Sequence, residues 1–258
     1  MTTPVLHIRD LRVTYPQAQA VRGVSLEVRA GECLAIVGES GSGKTQLFLA
    51  CLGLLPPSAI VTGSARFLGE ELIGRSEREL RSIRGGRLAM VFQDALSALS
   101  PHVRVGTQLV EALQAHRRVS KRDALAKAQA LLERVQVPDA DRRLRQYPHE
   151  LSGGLRQRVL IAMALMAEPA LVIADEPTTA LDVSVQAQII DVLRELRATG
   201  QTLVLITHDL GVVAAVADRV AVMRAGELVE CGPADRLFHS PGHEYTQRLL
   251  AAVPRWRA

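Results

Sequence analysis

Gly38-Glu39-Ser40-Gly41-Ser42-Gly43-Lys44-Thr45 fits the glycine-rich phosphate pattern GxxxxGK[ST] at every position. Glycines let a backbone wrap an oxyanion with its N–H groups turned inward, and the helix that follows offers its positive end. In such a loop Lys44 reaches the β- and γ-phosphates, and the Thr45 hydroxyl takes a Mg²⁺ coordination position. The flanks agree. Cys33-Leu34-Ala35-Ile36-Val37 is a short apolar run that predicts a buried strand, and Gln46-Leu47-Phe48-Leu49-Ala50-Cys51 continues as an apolar helix. The stretch predicts a nucleoside-triphosphate site.

Outward from the loop, the chain alternates between two patterns. Upstream, Val5-Leu6-His7-Ile8, Leu11-Arg12-Val13-Thr14-Tyr15 and Val24-Ser25-Leu26-Glu27-Val28 alternate apolar with polar residues, as half-buried strands do; Gly63 to Gly69 adds another strand to this N-terminal sheet. Downstream, Ser76 with Arg78-Glu79-Leu80 opens a short polar helix, and Leu88-Ala89-Met90-Val91-Phe92 is a second buried strand ending at Gln93. From Gly106 to Arg145 helical periodicity takes over. Ala124, Leu125, Ala128, Leu131, Leu132 and Val135 fall on one face. The strand–helix alternation then returns: strand Leu171–Ala174, helix Val183–Leu196, strand Thr202–Ile206, helix Leu210–Ala217 and strand Val220–Met223. This order predicts an α/β fold with a mainly parallel sheet and helices on both faces.

The bulk numbers set bounds. A chain of 258 residues suits one large domain or a core with a subdomain, and no linker divides it. Hydrophobic residues make up 48% but aromatics only 3%, so Leu, Val, Ile and Ala must do the packing. A net charge of +4 is too small to argue nucleic-acid binding, and the runs around Arg117, Arg118, Lys121, Arg122, Arg142, Arg143 and Arg145 read as solvated helix faces. Cys33, Cys51 and Cys231 lie far apart in apolar stretches, which predicts buried small hydrophobes and a reducing compartment. Met1-Thr2-Thr3-Pro4 lacks a secretion signal, and the longest apolar run, Val159 to Ala167, is too short to cross a bilayer. A metal site built from His239, His243 and Cys231 is not expected, because scattered ligands lack the compact geometry it needs.

Two further stretches carry chemistry. Leu171-Val172-Ile173-Ala174-Asp175-Glu176 delivers two carboxylates at the C-terminal edge of a buried strand, where ligands of open α/β sheets gather. In isolation it reads better as a strand ending in a solvated acidic turn. Beside the phosphate loop, Asp175 is placed to hold Mg²⁺ and Glu176 to orient or deprotonate the attacking water. Leu151-Ser152-Gly153-Gly154-Leu155-Arg156-Gln157-Arg158 precedes a strongly helical run and makes a second anion-seeking helix start; a plain N-cap at Ser152 is the blander alternative.

Taken together, the phosphate loop, Leu151-Ser152-Gly153-Gly154, Asp175-Glu176, Thr179-Ala180-Leu181-Asp182 and Thr207-His208-Asp209 occur in the order and rough spacing of ATP-binding cassette (ABC) subunits, which the whole chain resembles. The resemblance implies a P-loop nucleotide core with an N-terminal antiparallel β subdomain and an inserted helical subdomain carrying the signature. The expected division is residues 1–92 with 168–232 as core, 93–167 as the glutamine loop and helical subdomain, and 233–258 as a helical tail. It also implies a head-to-tail dimer in which each ATP lies between the loop of one subunit and Ser152, Gly153 and Gly154 of the other. Tyr15 matches the aromatic that stacks on adenine. Gln93 matches the glutamine that senses Mg²⁺ and water, His208 the switch histidine at the γ-phosphate, and Asp182 the aspartate that communicates across the dimer.

Within the family, Ser76 to Arg81, Phe92-Gln93-Asp94, Tyr147-Pro148-His149-Glu150 and His239 to Thr246 resemble the dipeptide, oligopeptide and nickel importer ATPases. Leu155 stands where many signatures carry glutamine, and an apolar residue there is usual in this branch. Ala95 replaces a usual proline and Ser100 a usual asparagine, both near the expected docking groove for the membrane partner. The short chain end after Pro254 leans towards the nickel-importer form. The expected function is an ATP-hydrolysing subunit on the cytoplasmic face of the membrane, bound to integral-membrane permease subunits and a second ATPase, served by an extracytoplasmic binding protein. The alternative is a soluble cassette ATPase acting on DNA or the ribosome; it would call for a coiled-coil insertion, zinc-binding cysteines or a second cassette, none of which is visible.

Overall fold

The computed structural model describes residues 4–93, 98–179 and 181–252. Met1, Thr2, Thr3, Asp94, Ala95, Ala180 and Pro254, named above, lie outside them. Two compact units form: Met1–Leu80 with Gly200–Ala258, and Arg81–Thr199.

In the first unit, apolar alternation produces a four-stranded antiparallel sheet. β1 (Leu6–Tyr15) pairs with β2 (Ala18–Val28) on one side and with β4 (Ile60–Phe67) on the other, and the two-residue β5 (Glu70–Glu71) closes the edge. Leu6, Ile8, Leu11 and Val13 of β1 are fully buried, while Arg9, Asp10 and Arg12 face solvent; an irregularity between Ile8 and Leu11, with Asp10 at φ 43°, shifts the period-two alternation by one residue. The central strands of this unit are largely apolar. β3 (Cys33–Val37) is buried at every position and lies parallel to both β8 (Leu203–Ile206) and β9 (Arg219–Arg224). β9 turns through Ala225 and Gly226 into antiparallel β10 (Glu227–Pro233). Helix α1 (Lys44–Leu52) follows β3, α8 (Leu210–Val216) follows β8, and α9 (Ala234–His239) and α10 (Glu244–Ala251) follow β10.

Helix α2 (Glu77–Ile83) carries the chain into the second unit, its start fixed by a reciprocal pair in which Ser76 N–H donates to Glu79 and Glu79 N–H to the Ser76 hydroxyl. There β6 (Leu88–Val91) runs parallel to β7 (Leu171–Asp175). Between them come α3 (Val105–Gln114), α4 (Lys121–Arg134), α5 (Ala140–Arg145), a 3₁₀ turn at Pro148–Glu150, and α6 (Gly153–Leu165). Helices α3, α4 and α5 pack on one another and α4 on α6 through the predicted face: Ala124, Ala128, Leu131, Leu132 and Val135 are buried, Leu125 partly so. Helix α7 (Val183–Ala198) completes the unit.

One expectation is corrected. Cys33 and Cys51 are buried, but Cys231 is exposed. It sits on β10, whose residues are mostly half-exposed, so the apolar neighbours in sequence do not place it in the core.

Candidate functional site

The phosphate loop belongs to the first unit and is shaped by contacts that only glycine permits. A Cβ on Gly38 would stand 2.1 Å from Met223 O, and one on Gly43 2.3 Å from Ala20 O. Both positions also have positive φ, 153° and 95°. Lys44 is 7% exposed, and its ammonium donates to Gly38 O at 2.7 Å and Glu39 O at 2.9 Å, which holds the cation at the loop. Ser42 N–H donates to Glu39 O, and Gly226 N–H to Ser42 O. The Ser42 hydroxyl is buried with no hydrogen-bond partner in the protein, an unmet donor inside an anion loop. Helix α1 has no side-chain cap and no acidic residue in its first turn, so its positive end is left uncompensated where Lys44 and Thr45 stand.

Two more expected residues lie in the same unit. The Tyr15 hydroxyl donates to Gln46 Oε1 at 2.6 Å, which places its ring beside the first turn of α1. His208 follows β8 and is exposed. Because Ile36 of β3 pairs with Ile206 of β8, His208 and the loop leave the sheet at the same edge. Asp209 is otherwise occupied: its carboxylate accepts from Gly211 N–H and Val212 N–H and caps α8.

The second unit gathers the others in two groups. At the edge formed by β6 and β7, where Val91 pairs with Ala174, stand Gln93, exposed, and Asp175 and Glu176. Asp175 is 4% exposed. Glu176 has φ 49°, a left-handed backbone rare for a non-glycine residue, and its Oε2 accepts from the Thr179 hydroxyl at 2.8 Å. The second group is the start of α6. Ser152 caps it by accepting from Leu155 N–H, and its first turn carries no acid. Gly153 is exposed, whereas Gly154 is buried against Val185 of α7. Asp182 caps α7 one turn before Val185, so the glycine start and Asp182 are neighbours. The hydrogen bonds that Asp182 accepts from the Ser184 hydroxyl and Val185 N–H hold its pKa below the ordinary carboxylate value.

Sequence reasoning missed Gln46, the partner of Tyr15, and Arg158. The Arg158 guanidinium is buried under α6, donating to Gln136 O and, at 3.4 Å, to Gly154 O; burial lowers its pKa. The signal was a second arginine, after Arg156, directly before the unbroken apolar run from Val159 to Met166. A buried cation needs fixed acceptors, and these acceptors fix the signature turn.

A glycine phosphate loop before α1, carboxylates at a parallel strand end and a second glycine helix start define a nucleoside triphosphatase of the ATP-binding cassette class. The family model described as ABC transporter matches residues 21–179. Relatives include the oligopeptide transport ATP-binding protein OppD of Salmonella typhimurium, 49% identical over 97% of this chain and 76% of its own length. The dipeptide transport ATP-binding protein DppD of Bacillus subtilis is 51% identical over 97% of this chain and 77% of its own. Among solved structures, a dimeric post-hydrolysis state of the ATP-binding cassette MJ0796, bound to ADP and Pi, superposes with TM-score 0.79 at 28% identity, over 89% of this chain and 98% of that one. The chain belongs to the ABC transporter family: it is an ATP-binding, ATP-hydrolysing cassette. Among the described residues no helix is long and apolar enough to cross a membrane.

Proposed function

We propose that this chain is the ATPase subunit of an importer for dipeptides or oligopeptides, peripheral to the cytoplasmic face of the membrane. Its partners are permease subunits and a second cassette, with a substrate-binding protein acting on the far side. Peptide is favoured over nickel because relatives near 50% identity are peptide-transport subunits. The same relatives give no support to a DNA or ribosome factor. One observation carries the dimeric reading: α1 and α6 each begin at a glycine turn with no acid in the first turn, two anion-seeking ends in one chain. A head-to-tail pair uses both ends on each nucleotide, with Ser152, Gly153 and Gly154 serving the partner's ATP.

Within that pair, Lys44 and the amides from Gly38 to Thr45, with Glu39, Ser40, Gly41, Ser42 and Gly43 between, stabilise charge on the phosphoryl group that is transferred. Tyr15 stacks on the base. Glu176 orients the water and takes its proton, and His208 contacts the γ-phosphate. The donors Thr45, Gln93 and Asp175 are all oxygen ligands, the set that suits Mg²⁺. Bound there with the triphosphate, Mg²⁺ would supply charge neutralisation for the phosphoryl transfer. Asp182, kept ionised by its caps, links the signature turn to the partner.

The test is reconstitution in lipid with permease subunits and a peptide-binding protein. Peptide-loaded binding protein should raise ATP hydrolysis severalfold and drive labelled peptide across the bilayer. Hydrolysis indifferent to the permease, or stimulated instead by DNA or ribosomes, refutes the assignment.

A further inference from the structure

The phosphate loop has a support that no nucleotide motif contains. Glu39 N–H donates to the hydroxyl of Tyr245, on α10, at 3.2 Å. Tyr245 is 4% exposed and its ring belongs to the core cluster with Val37, Leu210, Val213, Val222 and Leu237. A phenol buried this deeply needs a partner for its oxygen, and the loop amide is that partner.

The ring itself is set by independent contacts. The Arg224 guanidinium lies 5.0 Å from its centroid. Glu230 of β10 accepts from Gly242 N–H at 2.7 Å and His243 N–H at 3.1 Å, tying down the turn before α10. His243 Nδ1 then accepts from Tyr245 N–H at 3.1 Å and caps the helix. These bonds fix the position of α10 and hence of the phenol. From β9, Met223 O closes on Gly38 so tightly that no Cβ fits. The entry of the loop is thus gripped between Met223 and Tyr245.

We propose that Tyr245 is a positioning residue for ATP binding: its hydroxyl holds the Glu39 amide and keeps the entry turn of the loop in the shape that receives the triphosphate. The proposal rests on the assignment of residues 38–45 as the ATP loop. Tyr245 touches no reacting atom, so its removal weakens nucleotide binding more than it slows the chemical step.

Tyr245→Phe deletes the oxygen and keeps the ring and its stacking with Arg224. In the full chain with Mg²⁺, the Kd of a fluorescent ATP analogue and the KM for ATP should rise about two- to tenfold, the span of one net hydrogen bond. The kcat should stay within about twofold and Tm within about 2 °C. Amide exchange in a peptide covering residues 36–41 should quicken. Parental Kd and parental exchange would overturn the proposal, as would a fallen Tm with unchanged Kd, the mark of a merely structural residue. Lys44→Ala separates the two levels. If Lys44→Ala loses ATP while Tyr245→Phe binds like the parent, only the positioning role fails; if Lys44→Ala also binds like the parent, the loop assignment itself has failed.

Discussion

Thr179 donates its hydroxyl hydrogen to Glu176 Oε2 at 2.8 Å, and it does so across a turn in which Glu176 has φ 49°. A carboxylate that must take a proton from water needs one oxygen aimed at the water, and occupying the other oxygen fixes that aim. Glu176→Gln should keep ATP binding and lower turnover about a hundredfold or more, the usual contribution of a general base. Thr179→Val removes the bond and leaves the carboxylate, so a smaller fall in kcat with unchanged KM is expected. Steady-state hydrolysis and equilibrium ATP binding check both. A Glu176→Gln protein hydrolysing at the parental rate would remove Glu176 from the mechanism.

The two signature glycines should answer differently to the same substitution. A Cβ on Gly154 would stand 2.1 Å from Val185 Cγ1, whereas one on Gly153 would meet Leu181 Cδ2 at an ordinary 3.6 Å. Gly154→Ala should therefore cost about 1–3 kcal/mol of stability by overpacking, and Val185→Ala in the same chain should restore most of it. Gly153→Ala should leave the thermal midpoint near the parent's and still reduce hydrolysis, because in the proposed head-to-tail pair the exposed glycine keeps the helix start clear for the partner's ATP. Calorimetry paired with an ATPase assay separates the two. Equal thermal losses in both variants would contradict this division.

Burial and pairing explain what the sequence made legible. β3, and β7 as far as Ala174, announce themselves because every residue is buried and the apolar run is unbroken, and the phosphate loop because its glycines answer to contacts any side chain would block. β10 is hidden for the opposite reason. Its residues Glu227 to Pro233 are mostly half-exposed along one antiparallel partner, so Leu228 and Val229 sit among polar neighbours without a clear period. Cys231 followed the same error. Tyr245 and Arg158 act on turns far away in sequence, Glu39 and Gln136, and such partnerships leave no local pattern to read.

Acid should weaken the antiparallel sheet through Glu71. Burial alone would raise its pKa, but hydrogen bonds from the Ser64 hydroxyl and from the Ala65, Ile73 and Leu72 amides outweigh burial and hold it below the ordinary 4.5. A carboxyl whose pKa is depressed in the folded state adds stability above its unfolded pKa and loses it as pH falls through the folded one. The Tm difference between parent and Glu71→Gln should be full above about pH 5 and should shrink steadily below about pH 4. Its size is modest, about 1 kcal/mol, since the side chain is partly exposed. A difference that grew on acidification would reverse the sign of this linkage.

Thiol chemistry should single out one cysteine. Burial pushes the Cys51 thiol up to about 12, so it offers no thiolate at neutral or mildly alkaline pH, and Cys33 is enclosed in β3 out of a reagent's reach. Cys231 is exposed, with its sulfur open to a reagent and the Arg219 guanidinium 3.5 Å from it. With an aromatic disulfide reagent at pH 8, one thiol per chain should react quickly, and the other two should follow only on unfolding. Cys231→Ser should abolish the fast phase and leave ATP hydrolysis unchanged, because Cys231 lines a surface pocket with His7, Glu27 and Arg219, none of them assigned to the nucleotide. Two fast thiols in the native protein would mean that the α1–β3 core opens far more readily than its packing implies.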